Sequence, residues 1–310
     1  HWLPAQKAAE LRPTTLVQYE GIIDNWIVPK IGGIKVAALT PETVTKFTNA
    51  LRTEKSAKGR SGLSIRSTQM AVGVLKAACA WALINGYLGR NPVQGVKRPK
   101  LQRTPMTSWS NEQAKAFLES TKDDRLSFAY WLMLARGLRR GELCGLRWED
   151  VDLEGQVLRI NRTRVTVEGR VIDSTPKTES GRRSIPLDAS LVTILRKHQR
   201  RQAAEALKAE PGAYADGGHL VADELGRPYH PDSISGWFDE KVKASKQPRI
   251  RLHDCRHTAA SLMLASGVPV KVVSDMLGHA SPTITLSTYA HVLPGMSEEA
   301  GAALSAALHS

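Results

Sequence analysis

Three short motifs near the carboxyl end of the chain organise the rest of the sequence. They read His253-Asp-Cys-Arg-His-Thr258, Leu277-Gly-His279 and Thr288-Tyr-Ala-His-Val292. Residues three apart lie on one face of a helix, so a helix over the first motif directs His253 and Arg256 to the same side. The stretch therefore predicts short helices that hold arginine, histidine and tyrosine side chains at fixed positions.

Glycine and proline mark the expected ends of these helices. Pro269 and Pro282 suit the first helical position, because the N–H that proline lacks would be unpaired there. Gly278 suits a left-handed residue that ends a helix. We therefore expect His279 at a helix end and Tyr289 at the close of the next short helix.

The residue types in these motifs are those of a phosphoryl-transfer site. Arginine presents planar, permanently charged donors that match a phosphate. Histidine donates or accepts a proton near neutral pH, and tyrosine is a covalent nucleophile once its deprotonation is assisted. Taken singly, each such residue is more often packed or solvated than catalytic. The hypothesis therefore rests on their combination.

The composition indicates two domains and a polyanionic partner. A chain of 310 residues with 42% hydrophobic residues is long enough for two domains with their own cores. Lysine and arginine number 43 against 30 acidic residues, a net charge of +13, and nucleic acid is the commonest polyanion inside a cell. Cys79, Cys144 and Cys255 lack metal-ligand spacing and indicate reduced thiols. We expect neither a metal nor a cofactor.

The sequence indicates a protein that stays in the cytoplasm. No uncharged apolar run approaches the roughly 18 to 20 residues needed to span a membrane. The start also lacks the basic, apolar and small-residue regions of a signal peptide. The chain begins at His1-Trp2 and not at Met, from which we expect that a preceding N-terminal module has been removed.

The first 95 residues are predicted to form a small all-helical domain. Apolar residues recur at helical spacing over residues 14–29, 40–51 and 64–85. Residues 96–105 then combine basic residues with prolines, which predicts an extended linker. This linker is either a solvated tether or a strap that follows phosphates. Its candidate DNA-binding residues are Lys97, Arg98, Lys100 and Arg103.

Residues 106–310 are predicted to mix helices with short strands. The helical segments are residues 111–120, 126–146, 188–210 and 231–243. Alternating apolar residues between 151 and 186 predict short antiparallel strands, and we interpret the loop of Lys177 as a hairpin tip. The fold class is therefore mostly α with a small antiparallel β-sheet (α+β).

Four motifs in this order resemble the signature of the tyrosine recombinases, the phage-type integrases. They are Gly137-Leu-Arg-Arg-Gly-Glu-Leu143, His253–Thr258, Leu277–His279 and Tyr289. The resemblance covers nearly the whole chain. It implies a core-binding, SAM-like domain over residues 1–95 and a catalytic domain over residues 106–310. It also implies that the C-terminal tail packs on a neighbouring subunit.

The resemblance implies a cluster that holds the scissile phosphate. Arg139 and Arg256 would clamp its non-bridging oxygens, and His279 would donate a hydrogen bond to it. Arginines placed in advance stabilise the charge of the transition state without a metal. Glu142 matches an acid that supports the site. Arg140 directly follows Arg139, and the choice between the two arginines rests on the Gly-Leu-Arg match.

The resemblance also implies the residues that move protons. Tyr289 would be the nucleophile, and His253 would assist its deprotonation, which a phenol with an ordinary pKa near 10 requires at neutral pH. Lys177 would protonate the leaving 5′ oxygen. A phosphotyrosyl bond conserves the energy of the broken ester, so rejoining needs no ATP.

By resemblance, the chain would be a site-specific recombinase that cleaves and rejoins double-stranded DNA. It would form a 3′-phosphotyrosyl intermediate, exchange strands through a Holliday junction and act as a homotetramer, with accessory DNA-bending or directionality proteins. Integration and excision of a phage or mobile element is the favoured role. The alternatives are a recombinase that resolves chromosome dimers, a transposon-borne relative, a type IB topoisomerase and a catalytically silent DNA-binding relative.

Overall fold

The computed structural model describes residues 1–9, 11–54, 62–101, 106–176, 178–290 and residue 305. The chain divides into two compact units, residues 1–104 and 105–310. Three expectations lie wholly or largely outside the described residues: the position of Lys177, that of Arg103, and the packing of the C-terminal tail on a neighbour.

Helices build the N-terminal unit, as the sequence predicts. Its α-helices are α1 Trp2–Ala8, α2 Pro13–Ile22, α3 Val28–Ile31, α4 Pro41–Thr53 and α5 Ile65–Ile84. A π-helical turn over Ile23–Ile27 joins α2 to α3, and a 3₁₀ turn follows at Val36–Ala38. The side chains of Thr40 and Ser64 accept backbone N–H bonds and so begin α4 and α5.

Helix α5 is the longest element of this unit, and by length and composition alone it could cross a membrane. Arg66 and Lys76 interrupt its apolar sequence. Its buried side chains, among them Val72 and Leu75, join a core that includes Val44 and Phe47 of α4. We therefore assign α5 as the central core helix of the N-terminal unit.

The second unit contains eight α-helices in its described part. They are α6 Asn111–Ser120, α7 Ser127–Arg136, α8 Arg140–Gly145, α9 Ala189–Lys208, α10 Pro231–Ala244, α11 Asp254–Ala265, α12 Val270–Leu277 and α13 Pro282–Tyr289. Pro282 is the first residue of α13, as expected, whereas Pro269 is the residue before α12 begins.

In the part of the chain that the structure describes, five strands form two small antiparallel sheets. The strands are β1 Val151–Asp152, β2 Val157–Ile160, β3 Thr163–Val167, β4 Arg170–Ser174 and β5 Arg183–Pro186. One sheet has the order β1-β2-β5, and β3 pairs with β4 in the other. The interpretation of residues 174–181 as a hairpin tip is therefore wrong. These residues connect β4 to β5 across two sheets, because β5 finds its partner in β2.

The core of the second unit is aromatic at one end. Trp109, Phe117, Tyr130 and Phe238 are almost fully buried and lie with ring centroids 5.0–6.1 Å apart. The indole N–H of Trp109 donates to the carbonyl of Pro248, so its polar group is satisfied. Helix α7 runs through this core and carries the chain to the arginine motif that follows it.

Candidate active site

The arginine motif forms a sharp break between two helices. Helix α7 ends at Gly137, which has a left-handed φ of 66°, and α8 begins after Arg139. A Cβ at Gly137 would lie 2.4 Å from a methyl group of Leu277. Glycine at position 137 disfavours a continuous helix. It is required there because the turn needs a positive φ and because Leu277 leaves no room for a side chain.

Glu142 is the buried acid at the start of α8. One of its oxygens accepts the side chain of Arg139 at 2.7 Å, and the other accepts the backbone N–H of Arg139 at 2.9 Å. Arg183 reaches both oxygens, at 3.0 and 2.9 Å. Burial would raise the pKa of Glu142, but the hydrogen bonds and charges of Arg183 and Arg139 outweigh it and lower that pKa. Glu142 is therefore an ionised anchor for two arginines.

Arg183, at the start of β5, is a site residue that sequence reasoning missed. Its guanidinium also donates to the carbonyls of Gly181, at 3.1 Å, and of Met276, at 2.7 Å. The side chain is only 6% exposed. It ties the loop before β5 to the last turn of α12 and to Glu142. The sequence shows an arginine in an alternating strand, but not that the residue points inward.

Arg256 lies on the first turn of α11 and is almost fully buried. Its side chain donates to the carbonyls of Gly137, at 2.8 Å, and Leu277. Arg139 donates to the next carbonyl, that of Gly278, at 3.2 Å. Burial, followed by the charge of Arg139, lowers the pKa of Arg256 to about 9. Two cations are thus held side by side, an arrangement that a bound anion would stabilise.

His279 follows directly on the end of α12. Gly278 has φ 66° there and closes the helix in the left-handed conformation, as expected. The Nδ1 atom of His279 is 2.8 Å from the Thr285 hydroxyl. Burial and the charges of Arg256 and Arg139 lower the pKa of His279 to about 4. The ring is therefore neutral at pH 7 and offers a hydrogen bond without adding a charge.

Tyr289 is the last residue of α13, which begins after the capping side chain of Ser281. The tyrosine is 1% exposed and packs against Leu264 and Leu277. Burial raises its pKa to about 12, against a lowering by the charge of Arg256. Its hydroxyl lies 2.7 Å from Nδ1 of His257. The phenol is therefore protonated at rest and already hydrogen-bonded to a proton acceptor.

His253 and His257 lie one helical turn apart, at the start of α11. Their rings meet edge to face with centroids 5.4 Å apart. Burial lowers the pKa of both, with a further lowering of the His253 pKa by His257 and Arg256. Within the described residues, the hydrogen-bond partner of the Tyr289 hydroxyl is His257 and not His253.

Arg140 points away from these groups. Its guanidinium donates to Ser235 at 3.0 Å and pairs with Asp232 at 2.7 Å, both on α10. Its position in the fold therefore favours Arg139 as the clamp residue. In the N-terminal unit, the described candidate DNA-binding residues Lys97, Arg98 and Lys100 are exposed.

The described residues contain no group of three or more His, Cys, Asp or Glu side chains arranged to hold a metal ion. The acidic residue of the site, Glu142, is already occupied by Arg139 and Arg183. What the site offers is a pair of arginines, a neutral histidine and a tyrosine with a hydrogen-bonded imidazole.

Comparison with known proteins places this arrangement in a family. The model of the phage integrase family matches residues 108–295, and that of the phage integrase N-terminal SAM-like domain matches residues 1–52. The chain is 31% identical to the XerC-like tyrosine recombinase of Caldanaerobacter subterraneus subsp. tengcongensis, over 94% of this chain and 78% of that protein. The chain belongs to the phage integrase family of tyrosine recombinases.

Solved structures of other recombinases share its fold. The Tn1549 transposon integrase in complex with transposon right end DNA matches with a TM-score of 0.80 and 20% identity, over 97% of this chain and 96% of that chain. A lambda integrase tetramer bound to a Holliday junction matches with a TM-score of 0.67 and 17% identity, over 91% and 76% of the two chains.

In this tyrosine recombinase the described site residues predicted from the sequence lie together. They are Arg139, Glu142, His253, Arg256, His279 and Tyr289. Sequence reasoning assigned no role to Arg183 or His257. For His257 an indication was present, since it lies four residues after His253 and on the same helical face.

Proposed function

We propose that this tyrosine recombinase is a site-specific DNA recombinase that breaks and rejoins DNA through a covalent bond between Tyr289 and a 3′ phosphate. The observation that carries the proposal is the pair of guanidinium groups, Arg139 and Arg256, bonded to the successive carbonyls of Gly278 and Leu277. The charges of both arginines lower the pKa of His279, and the charge of Arg256 lowers the pKa of the Tyr289 hydroxyl against the effect of burial.

The proposed cleavage step uses each of these groups. Arg139 and Arg256 bind the non-bridging oxygens, and the neutral ring of His279 donates a hydrogen bond to the same phosphate. The oxygen of Tyr289 gives its proton to a neighbouring histidine and forms a bond to phosphorus as the bond to the 5′ oxygen breaks. Lys177 gives the leaving oxygen its proton. The reverse sequence, with the 5′ hydroxyl of a second duplex, exchanges strands through a Holliday junction.

Double-stranded DNA is the proposed partner, and the excess of basic residues supports it. Assembly as a homotetramer is proposed by analogy with the lambda integrase tetramer on a Holliday junction. Integration or excision of a phage or mobile element, aided by DNA-bending or directionality proteins, is the proposed biological role. Such a role places the protein with its DNA in the cytoplasm.

The experiment that tests this function traps the covalent intermediate. A duplex site is first selected from random sequences by binding to the wild-type protein. That site is then nicked so that cleavage releases a short strand and cannot reverse. In EDTA, the wild type should accumulate a covalent protein–DNA complex, and Tyr289→Phe should not.

Tyr214→Phe is the matched control, because this tyrosine lies in the same unit but outside the site. It should form the complex as the wild type does. If the wild type binds the selected DNA but forms no covalent complex, the result would instead favour a catalytically silent DNA-binding protein. A complex formed by Tyr289→Phe would show that another residue is the nucleophile.

A further inference from the structure

The hydrogen bond between Tyr289 and His257 is the observation from which we argue. It joins the end of α13 to the first turns of α11 across 2.7 Å, and both residues are held by their helices. Asp254, at the start of α11, is fixed by Arg251, which donates to both of its carboxylate oxygens at 3.0 and 2.7 Å. The imidazole and the phenol are therefore in direct hydrogen-bonding contact, each held by its own helix.

The protonation states follow from burial. Burial raises the pKa of Tyr289 to about 12, so its hydroxyl carries the proton of the hydrogen bond. Burial lowers the pKa of His257, so its ring is neutral at pH 7. Nδ1 then accepts, and the ring's own proton is on Nε2. This is the arrangement of a nucleophile with its general base.

We infer that His257, rather than His253, removes the proton of Tyr289 as its oxygen attacks the scissile phosphate. The inference rests on the proposed function. One bond forms, from the Tyr289 oxygen to phosphorus, and one breaks, from phosphorus to the 5′ oxygen. The phenolic proton passes to Nδ1 of His257, and the leaving oxygen takes a different proton, from Lys177. During rejoining, His257 returns the proton to Tyr289.

His253 has a different place in this arrangement. Its ring contacts that of His257 edge to face, and no hydrogen bond within the described residues joins it to Tyr289. We therefore treat His253 as a positioning residue for the His257 ring. Replacement of His253 should slow cleavage less than replacement of His257.

The pH dependence of His257 depends on its charged surroundings. Asp254 favours the protonated ring, whereas Arg256 and Arg251 disfavour it. The titratable and charged groups around the ring are His253, Asp254, Arg256, Arg251, His279 and Tyr289. Because protonated His257 cannot accept a proton, cleavage by the wild type should decrease as the pH falls through the pKa of this ring.

The test measures single-turnover cleavage of the nicked duplex between about pH 5 and 9. The proteins are the wild type, His257→Asn, His257→Ala, His253→Asn and Lys177→Ala. We expect His257→Asn to bind DNA but to cleave about 100- to 10,000-fold more slowly, as loss of a general base does. The cleavage rate of His257→Asn should not show the decrease at low pH that the wild type shows. Added imidazole should restore part of the activity of His257→Ala.

A second substrate separates the base from the acid. It replaces the leaving 5′ oxygen by sulfur, which departs as a thiolate and needs no proton. This substrate should restore the cleavage rate of Lys177→Ala. The rate of His257→Asn relative to the wild type should be the same on the sulfur substrate as on the oxygen substrate. Failure of the wild type to form any covalent complex would instead overturn the proposed function itself.

Three results would overturn the role of His257 while leaving that function intact. The first is a His257→Asn rate within about threefold of the wild type. The second is rescue of His257→Asn by the sulfur substrate, which would assign His257 to the leaving group. The third is a loss of activity that is equal at every pH and that imidazole does not relieve, which would indicate a structural role alone.

Discussion

At the scale of single residues, Arg183 joins three parts of the site, although no motif identifies it. It binds both oxygens of the buried Glu142 carboxylate, which also accepts Arg139, and donates to the backbone carbonyls of Gly181 and Met276. Removal of one partner from a buried ion pair leaves a charge that neither water nor protein satisfies. The site and the stability of the second unit are therefore coupled through this residue.

We expect Arg183→Met to lower the free energy of unfolding by about 3–5 kcal/mol. Arg159→Met, on the neighbouring strand β2, is the matched control, because Arg159 is 48% exposed and lies 3.8 Å from Asp152. That control should change the free energy of unfolding by less than about 1 kcal/mol. Urea unfolding followed by circular dichroism measures both, and equal effects would contradict the role of Arg183.

The effect of Arg183→Met should depend on pH in a defined direction. The pKa of Glu142 is lowered in the folded protein, mainly because the bonds and charges of Arg183 outweigh burial. The ionised pair therefore stabilises the fold above the unfolded-state pKa of about 4.3, and this stabilisation decreases as the pH falls through the folded-state pKa. The difference in the free energy of unfolding between the wild type and Arg183→Met should therefore become smaller as the pH falls.

At the scale of elements, the junction between α7 and α8 positions the arginine pair. Gly137 turns the chain with a positive φ, and its carbonyl accepts a hydrogen bond from Arg256. The next two residues place Leu138 in the core and Arg139 beside Glu142. A side chain at Gly137 would strain the turn and also displace Leu277, whose carbonyl binds Arg256.

We expect Gly137→Ala to destabilise the protein and to reduce covalent-complex formation. Gly169→Ala, in the β3–β4 turn, is the matched control. Gly169 also has a positive φ, of 76°, but nothing lies within 4 Å of a Cβ added there. Both variants carry backbone strain, and only Gly137→Ala adds a clash, which costs about 1–3 kcal/mol more. Equal melting temperatures and equal cleavage by the two variants would contradict this account.

Local features of the sequence predicted the elements, whereas long-range contacts were beyond it. Thr40 and Ser64 stand at the predicted starts of two helices, and each caps the helix that follows it. The pairing of β5 with β2 was missed, because turn residues and alternation specify strands but not their partners. The bond between His257 and Tyr289 joins residues 32 apart, and helix periodicity cannot reveal it.

At the scale of the whole molecule, the excess of positive charge is the feature most relevant to DNA. Residues 1–104 carry +11 of the net charge of +13, and the exposed residues Lys97, Arg98 and Lys100 lie near the end of this unit. A phosphate contact releases a counterion, so its loss lowers the salt dependence of binding. A linker that is only a solvated tether would contribute nothing to the salt dependence of binding.

We expect the combined change of Lys97, Arg98 and Lys100 to Ala to weaken DNA binding and to lower the slope of log K against log salt. The slope should decrease by about 0.9 for each phosphate contact removed. A control with Lys197, Arg200 and Lys208 of α9 changed to Ala removes the same charge from an exposed helical face. Equal slopes for the two triple variants would favour the tether interpretation.

The contacts of Arg139 and Arg256 at the end of α12 have a consequence for how such a site tolerates change. Both arginines bind main-chain carbonyls, those of Gly278 and Leu277, and not side chains. Every amino acid supplies a carbonyl, so substitutions that preserve the backbone path leave the acceptors in place. Retention of these two arginine contacts therefore depends on the path of the main chain through Gly278. A library that diversifies the outward residues of α12 can vary the surface without varying the chemistry.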